Sequence, residues 1–213
     1  MKEKIGIFGG TFDPIHTGHL RVAEEVRENL DLDRVIFVPA HIQPLKVAGK
    51  AAEADHRLEM AKLAVEANPR FEVDNCEILR GGASYTVETL EYYGNKKPDA
   101  GIFFIIGSDA WQSITLWRDY ERLFELAMVV VMTRPGYRAA TPGEVLPSGI
   151  SGRFEKDGDT YSLGSEGGVR FVSVSRLDIS GTSIRELLKA GKSVKYIVPT
   201  AVEQYLRKNK LYS

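Results

Sequence analysis

Two short apolar runs, KIGIF at 4–8 and RVIFVPA at 34–40, flank one amphipathic stretch and leave the chain little choice of fold. Each run is β-branched and too short for a helix, so each reads as a buried strand. Between them Leu20, Ala23, Val26 and Leu30 recur at helical spacing, with Thr17 placed to cap the first turn. Strand, helix and strand so close together make a βαβ unit, which requires a parallel pair joined by a right-handed crossover.

The pattern continues. Asp55 is placed to cap a helix through HRLEMAKLAVEAN, ended by Asn68 and Pro69. FEVDNCEIL (71–79) alternates in part and predicts a strand, and SYTVETLEYYG predicts a short helix stopped at Gly94. GIFFIIG (101–107) is apolar throughout, as a strand covered on both faces is. YERLFEL predicts a short helix, and AMVVVM (127–132) and VRFVSV (169–174) predict strands. GTSIRELLKAG predicts a helix closed by Gly191, and PTAVEQYLRKNKLY a last one with Pro199 near its first turn. Residues 136–169 are rich in Gly, Pro and Ser, which predicts a surface excursion with a hairpin around KDGDTY. The expected fold is a single α/β domain over 1–213, Rossmann-like and doubly wound. Its sheet is mainly parallel, of five or six strands, with helices on both faces.

A hydrophobic fraction of 43% supplies the core such a sheet needs. The formal net charge is −1, which provides no broad basic field, so nucleic acid is not expected as a partner. The lone cysteine, Cys76, cannot form an internal disulfide or a cysteine-rich zinc site and is expected as a small core residue. MKEKIGIFGG lacks a signal peptide's apolar region, and no run nears the roughly 18 apolar residues of a membrane span. The expectation is a cytoplasmic protein without a membrane partner. Its oligomeric state stays open, a homo-oligomer included.

The stretch GGTFDPIHTGHL (9–20) lies where the first strand runs into the first helix, the end of an open α/β sheet at which ligands bind. Gly9 and Gly10 allow a ligand to approach the backbone. The helix start offers unpaired N–H groups and a dipole that favours an anion. His16 and His19 stand one turn apart there and can donate to phosphate oxygens. The same spacing would serve a metal pair, and two histidines in an exposed turn need no ligand. Neither alternative explains why the glycines, the Asp-Pro turn and both histidines occur together. The stretch is not G-x-G-x-x-G, which disfavours a dinucleotide-dependent hydride transfer.

DISGTSIRELL (178–188) makes a second candidate anion site, with Ser180, Gly181, Thr182 and Ser183 at a helix start and Arg185 in its first turn. Alone, SGTS is an N-cap. Together with the first site it points to a polyphosphate.

GGTFDPIHTGHL with ISGTSIR resembles the nucleotidyltransferase superfamily marked by H-x-G-H and a late I-S-S-T-x-x-R. More narrowly, VPAHIQPLK, HRLEMAKLA, SYTVETL, FFIIGSDAWQSITLW, VVVMTRPG and YIVPTAVEQYL occur in the order found in bacterial nicotinate-mononucleotide adenylyltransferases. The resemblance runs from about residue 4 to 207 and is weakest over 136–169. Two departures stand out: Gly181 replaces the usual serine, and Leu45 stands where a histidine often precedes Lys46.

The resemblance implies transfer of AMP from ATP to nicotinate mononucleotide, with nicotinate adenine dinucleotide and pyrophosphate as products. It implies catalytic roles for His16, His19, Lys46 and Arg185, with His19 foremost at the transition state. Gly9, Gly10, Thr11, Phe12, Ser180 and Thr182 would bind ATP. Thr86, Asp109, Trp117 and Arg134 would bind the mononucleotide, with Arg118 near its carboxylate. Magnesium would arrive on ATP rather than in a protein cage, and no residue is assigned as a metal ligand. His41 and His56 receive no catalytic role; His41 is expected as a mobile surface residue and His56 in packing or capping. The rival readings are a related transferase acting on another phosphate and a nucleotide-binding protein without turnover.

Overall fold

The computed structural model describes residues 2–44, 51–136, 138–164 and 167–213. Lys46 and Leu45 therefore lie outside the described residues. Among the described residues eight strands form one sheet: β1 Lys4–Gly10, β2 Arg34–Pro39, β3 Phe71–Val73, β4 Gly101–Gly107, β5 Met128–Thr133, β6 Glu155–Asp157, β7 Thr160–Leu163 and β8 Gly167–Ser173. The order is β3-β2-β1-β4-β5-β8-β7-β6, and the first six strands in that order are parallel. The first five helices are α1 Thr17–Asn29, α2 Ala54–Val65, α3 Cys76–Arg80, α4 Thr86–Lys96 and α5 Ser108–Gln112. The remaining five are α6 Tyr120–Leu126, α7 Pro142–Val145, α8 Ser148–Ser151, α9 Gly181–Lys189 and α10 Thr200–Lys208.

Strand alternation divides the core between two faces. Ile5, Ile7, Phe104, Ile106, Val129 and Val131 pack under α4, α5 and α6, with Leu90, Trp111, Leu123 and Phe124 in the same cluster. Phe8, Ile105 and Val130 point to the other face and join Ala23, Val26, Met60, Ile184 and Val202 from α1, α2, α9 and α10. The period of two thus builds both layers. Cys76 is buried as expected, and burial pushes its thiol up to about 12.

The strand count corrects the expected five or six. Six strands are parallel, and the hairpin around KDGDTY adds two antiparallel ones, because β7 pairs directly with β8. The Gly/Pro-rich stretch is also tied inward: Leu146 and Ile150 are buried, and the Trp111 indole N–H donates to the Ala140 carbonyl at 2.6 Å.

Other boundaries differ for local reasons. The strand expected over 71–79 ends at Val73, where the Asp74 carboxylate accepts the Cys76 amide at 2.9 Å and turns the chain into α3. Gly94 does not stop α4, which runs on to Lys96; its position faces open space, so helix geometry meets no obstacle. Thr17 does not cap α1, since its hydroxyl donates to the Ile197 carbonyl at 3.0 Å. His16 precedes the first turn, with extended backbone. Glu53, not Asp55, precedes α2, and Asp55 sits in the first turn, where the helix dipole favours it.

Candidate active site

The chain leaves β1 toward β2 and β3 on one side, then returns to β4 and β5 on the other. The switch point is the crevice at the carboxyl ends of β1 and β4. A cleft of about 1230 Å³ opens there. Its lining includes Gly9, Gly10, Thr11 and Phe12 from the end of β1, and His16 and His19 from the start of α1. Asp109 follows β4, Arg134 follows β5, and Ser180, Thr182 and Arg185 come from α9. The two anion sites read from sequence therefore face one space.

Direct bonds join them. Arg185 Nη1 donates to the Asp13 carbonyl at 2.6 Å and lies 3.2 Å from Asp13 Oδ2. The departure at Gly181 has a steric basis in this chain: a Cβ there would lie 2.7 Å from the Asp13 carbonyl oxygen. Glycine lets the α9 start abut the β1–α1 loop. Ser180 Oγ accepts the Ser183 amide at 3.1 Å, and Thr182 Oγ1 accepts from Arg185 Nη2 at 3.2 Å. Both hydroxyls thereby order the helix start itself.

The two histidines form a stacked pair, with ring centroids 3.6 Å apart and planes 25° apart. His19 Nδ1 accepts the His16 backbone N–H at 3.2 Å, so the ring proton of neutral His19 resides on Nε2. His16 is buried, and its Nδ1 has no hydrogen-bond partner. An orphaned buried N–H is costly, so the Nδ1 carries a lone pair and Nε2 carries the proton. Desolvation lowers the His16 pKa from 6.5 to about 4. Two stacked imidazoliums would also repel by about 4 kcal/mol at an intermediate dielectric. His16 is a neutral hydrogen-bond donor at neutral pH.

Gly18 makes this stack fit. A Cβ there would meet His16 Nδ1 at 3.0 Å and Cε1 at 3.1 Å. Phe12 is held in the left-handed region at φ 49°, with its ring edge-on to Phe8 at 5.7 Å and to His19 at 5.2 Å. That packing offsets a backbone cost of about 1–3 kcal/mol.

Four supports had no role in the sequence reading. Arg57 is buried and donates to the carbonyls of Ala52, Thr11, Ala40 and His41 at 2.6–3.0 Å. Burial lowers its pKa. The signal was a charge within the buried stripe Arg57, Leu58, Met60 and Ala61 of α2. Glu25, buried on α1, accepts the Ser175 amide at 2.6 Å and Arg21 Nε at 2.7 Å. Burial alone would raise its pKa; those bonds bring it below the usual range. Gln43 accepts the Thr11 hydroxyl at 2.5 Å, and Tyr212 donates to Asp13.

His41 bonds to the loop before α4: its amide donates to Ser84 Oγ, and its Nδ1 lies 2.9 Å from the Gly82 carbonyl. His56 packs as expected, with Nδ1 2.9 Å from the Tyr205 hydroxyl. Thr86 and Trp117 lie outside the described cleft lining. Thr86 opens α4, and its loop joins the cleft wall where the Ser84 amide donates to the Ile42 carbonyl at 2.8 Å. Trp117 stands edge-on to Phe104 at 6.2 Å. Beside them Arg118 covers the Tyr85 ring at 4.7 Å and pairs with Glu88 at 3.1 Å.

Residues 7–187 match the model of the cytidylyltransferase-like family. A probable nicotinate-nucleotide adenylyltransferase of Syntrophotalea carbinolica is 44% identical over 212 residues, covering 98% of this chain and 97% of the relative. The chain belongs to the nicotinate-nucleotide adenylyltransferase family. A second relative of the same description, from Citrifermentans bemidjiense, is 42% identical and covered to 98% on both sides. In fold, the chain is similar to the nicotinic acid mononucleotide adenylyltransferase of Plasmodium falciparum complexed with NaAD, with a TM-score of 0.71 at 18% identity. That match covers 99% of this chain and 97% of the Plasmodium chain. The β1–α1 loop that leads into H-x-G-H meets the late S-G-T-x-x-R segment at Asp13, and both thus belong to a nucleotidyltransferase fold. No helix among the described residues is long and apolar enough to cross a membrane.

Proposed function

We infer that this chain is a nicotinate-nucleotide adenylyltransferase that works in NAD biosynthesis as a single domain over 1–213 in the cytoplasm. The observation that carries the reading is the meeting of two helix starts, α1 and α9, at one cleft beside a stacked imidazole pair. A triphosphate fits that arrangement, with amide dipoles and hydrogen-bond donors arrayed along a row of anions.

The 5′-phosphate of nicotinate mononucleotide attacks the α-phosphorus of ATP. A P–O bond forms, the bond to the β-phosphate breaks, and pyrophosphate leaves. The attacking phosphate has its second pKa near about 6, so it is largely dianionic at neutral pH and needs no general base. Catalysis then rests on alignment and on stabilising charge at the α-phosphate and the leaving group. His16 and His19 donate Nε2–H groups to the phosphates, Arg185 binds the outer phosphates from the ground state onward, and Ser180 and Thr182 order the α9 start. Lys46 adds a further cation by sequence position. Gly9, Gly10, Thr11 and Phe12 form the cleft floor. Asp109, Arg134, Thr86 and Trp117 receive the mononucleotide.

Magnesium enters with the MgATP substrate, held by phosphate oxygens and water. Among the described residues no group of three or more His, Cys, Asp or Glu side chains is disposed to hold a metal.

The test is pyrophosphate release from MgATP with nicotinate mononucleotide, run beside the nicotinamide analogue. Turnover with the nicotinate substrate is expected; turnover with neither rejects the reading. In the same assay His19→Ala, folded by circular dichroism, should lose about 10²–10³-fold in kcat, the scale of one transition-state donor.

A further inference from the structure

Among the supports that the sequence reading missed, the half-buried phenol of Tyr212 reaches the active site from farthest along the chain. It lies beyond α10, 199 positions from Asp13 in sequence, and its hydroxyl donates to Asp13 Oδ1. The same oxygen accepts the Ala52 amide at 2.9 Å. The other carboxylate oxygen faces Arg185 Nη1 at 3.2 Å, and the Asp13 carbonyl accepts that Nη1 at 2.6 Å. Asp13 is thus a hub for the β1–α1 loop, the segment before α2, the α9 start and the segment after α10.

The hub poses an electrostatic problem. A carboxylate beside a triphosphate repels it unless its charge is directed elsewhere. Two donors on Oδ1 turn the carboxylate so that Oδ2 faces Arg185. Only 8% of the Asp13 side chain is exposed, against 26% of the Arg185 side chain. The anion is therefore covered while part of the guanidinium remains open to the cleft.

We propose that Tyr212 is a positioning residue for the ATP site: its hydroxyl fixes the Asp13 carboxylate, and Asp13 in turn sets the Arg185 guanidinium that faces the phosphates. This rests on the adenylyltransferase reading and adds a control point from the segment after α10. Tyr212 touches no reacting atom. It acts on a contact made to ATP in both ground and transition states, so its loss raises KM more than it lowers kcat. The phenol's pKa is raised by burial and by Asp13, so it stays a donor through the neutral range.

The experiment compares wild type with Tyr212→Phe, Asp13→Ala and the double variant, each checked for folding by urea titration. Tyr212→Phe keeps the ring, so packing is retained. It should raise the KM for MgATP about tenfold, the scale of one hydrogen bond to a charged group, with kcat within about twofold. The KM for nicotinate mononucleotide should not follow. In the Asp13→Ala background, adding Tyr212→Phe should change the KM for MgATP by less than about twofold, because the route through Asp13 is gone. An unchanged KM in Tyr212→Phe, with or without a lower urea midpoint, would overturn the proposal. Multiplicative effects in the double variant would overturn it too. Wild-type turnover in the same series checks the underlying reading separately, since an active wild type with an indifferent Tyr212→Phe refutes only this step.

Discussion

The neutrality of His16 has a measurable cost in acid. Its pKa falls from 6.5 to about 4 because burial penalises the charged ring. A depressed folded-state pKa means that the unfolded chain takes up the proton first. Stability is therefore full above about pH 6.5 and is lost as the pH falls toward about 4. At about 1.4 kcal/mol per pKa unit the complete penalty is about 3 kcal/mol, of which about 2 kcal/mol has developed by about pH 5. His16→Gln removes this titration while keeping a neutral polar side chain. Urea unfolding of both proteins at about pH 7.5 and about pH 5 isolates the buried ring, because titrating groups that do not touch His16 cancel in the double difference, and His19→Gln in both backgrounds removes the stacked neighbour's own titration. The wild type should lose about 2 kcal/mol more than the variant between those pH values. That is a relative midpoint shift of about 1 M urea at an m-value of about 2 kcal/mol/M. If the stability difference stays constant, His16 is not held neutral by burial and its assignment as a Nε2–H donor fails.

Three further outcomes follow from the geometry. Gly18→Ala places a methyl 3.0–3.1 Å from the His16 ring, so the stack must shift by a few tenths of an ångström; kcat should fall at least about tenfold with the fold intact, by steady-state kinetics and circular dichroism. Arg57→Met leaves the carbonyls of Thr11, Ala40, His41 and Ala52 without this donor and should cost about 3 kcal/mol or more in urea unfolding. Glu25→Ala leaves the Ser175 amide without its acceptor and should raise the KM for MgATP, since Ser175 lines the cleft; an unchanged KM would confine Glu25 to α1.

The legible part of the site was the local part. His16, His19 and Ser180 could be placed because each lies within one turn of a helix start that the apolar periodicity already marked. Their convergence was an expectation about topology, and the β1–β4 switch point meets it. The supports were not legible, because they are pairs with no periodic signature: Tyr212 with Asp13, and Glu25 with Ser175 at 150 positions apart. Arg57 left a trace, a charge in an apolar stripe, but no sequence rule says which carbonyls it meets. The hairpin of β6 and β7 was anticipated around KDGDTY, while its pairing with β8 depends on tertiary burial. Thr86 and Trp117 were placed through family resemblance, and the described cleft ends short of both.

The most direct test of the account is a crystal structure of the chain with a non-hydrolysable ATP analogue. The account predicts one triphosphate between the α1 and α9 starts, its α-phosphate within hydrogen-bond reach of Nε2 of His16 or His19 and its outer phosphates facing Arg185. An analogue whose phosphates bind away from both helix starts, or a histidine pair turned from the phosphates, would contradict it.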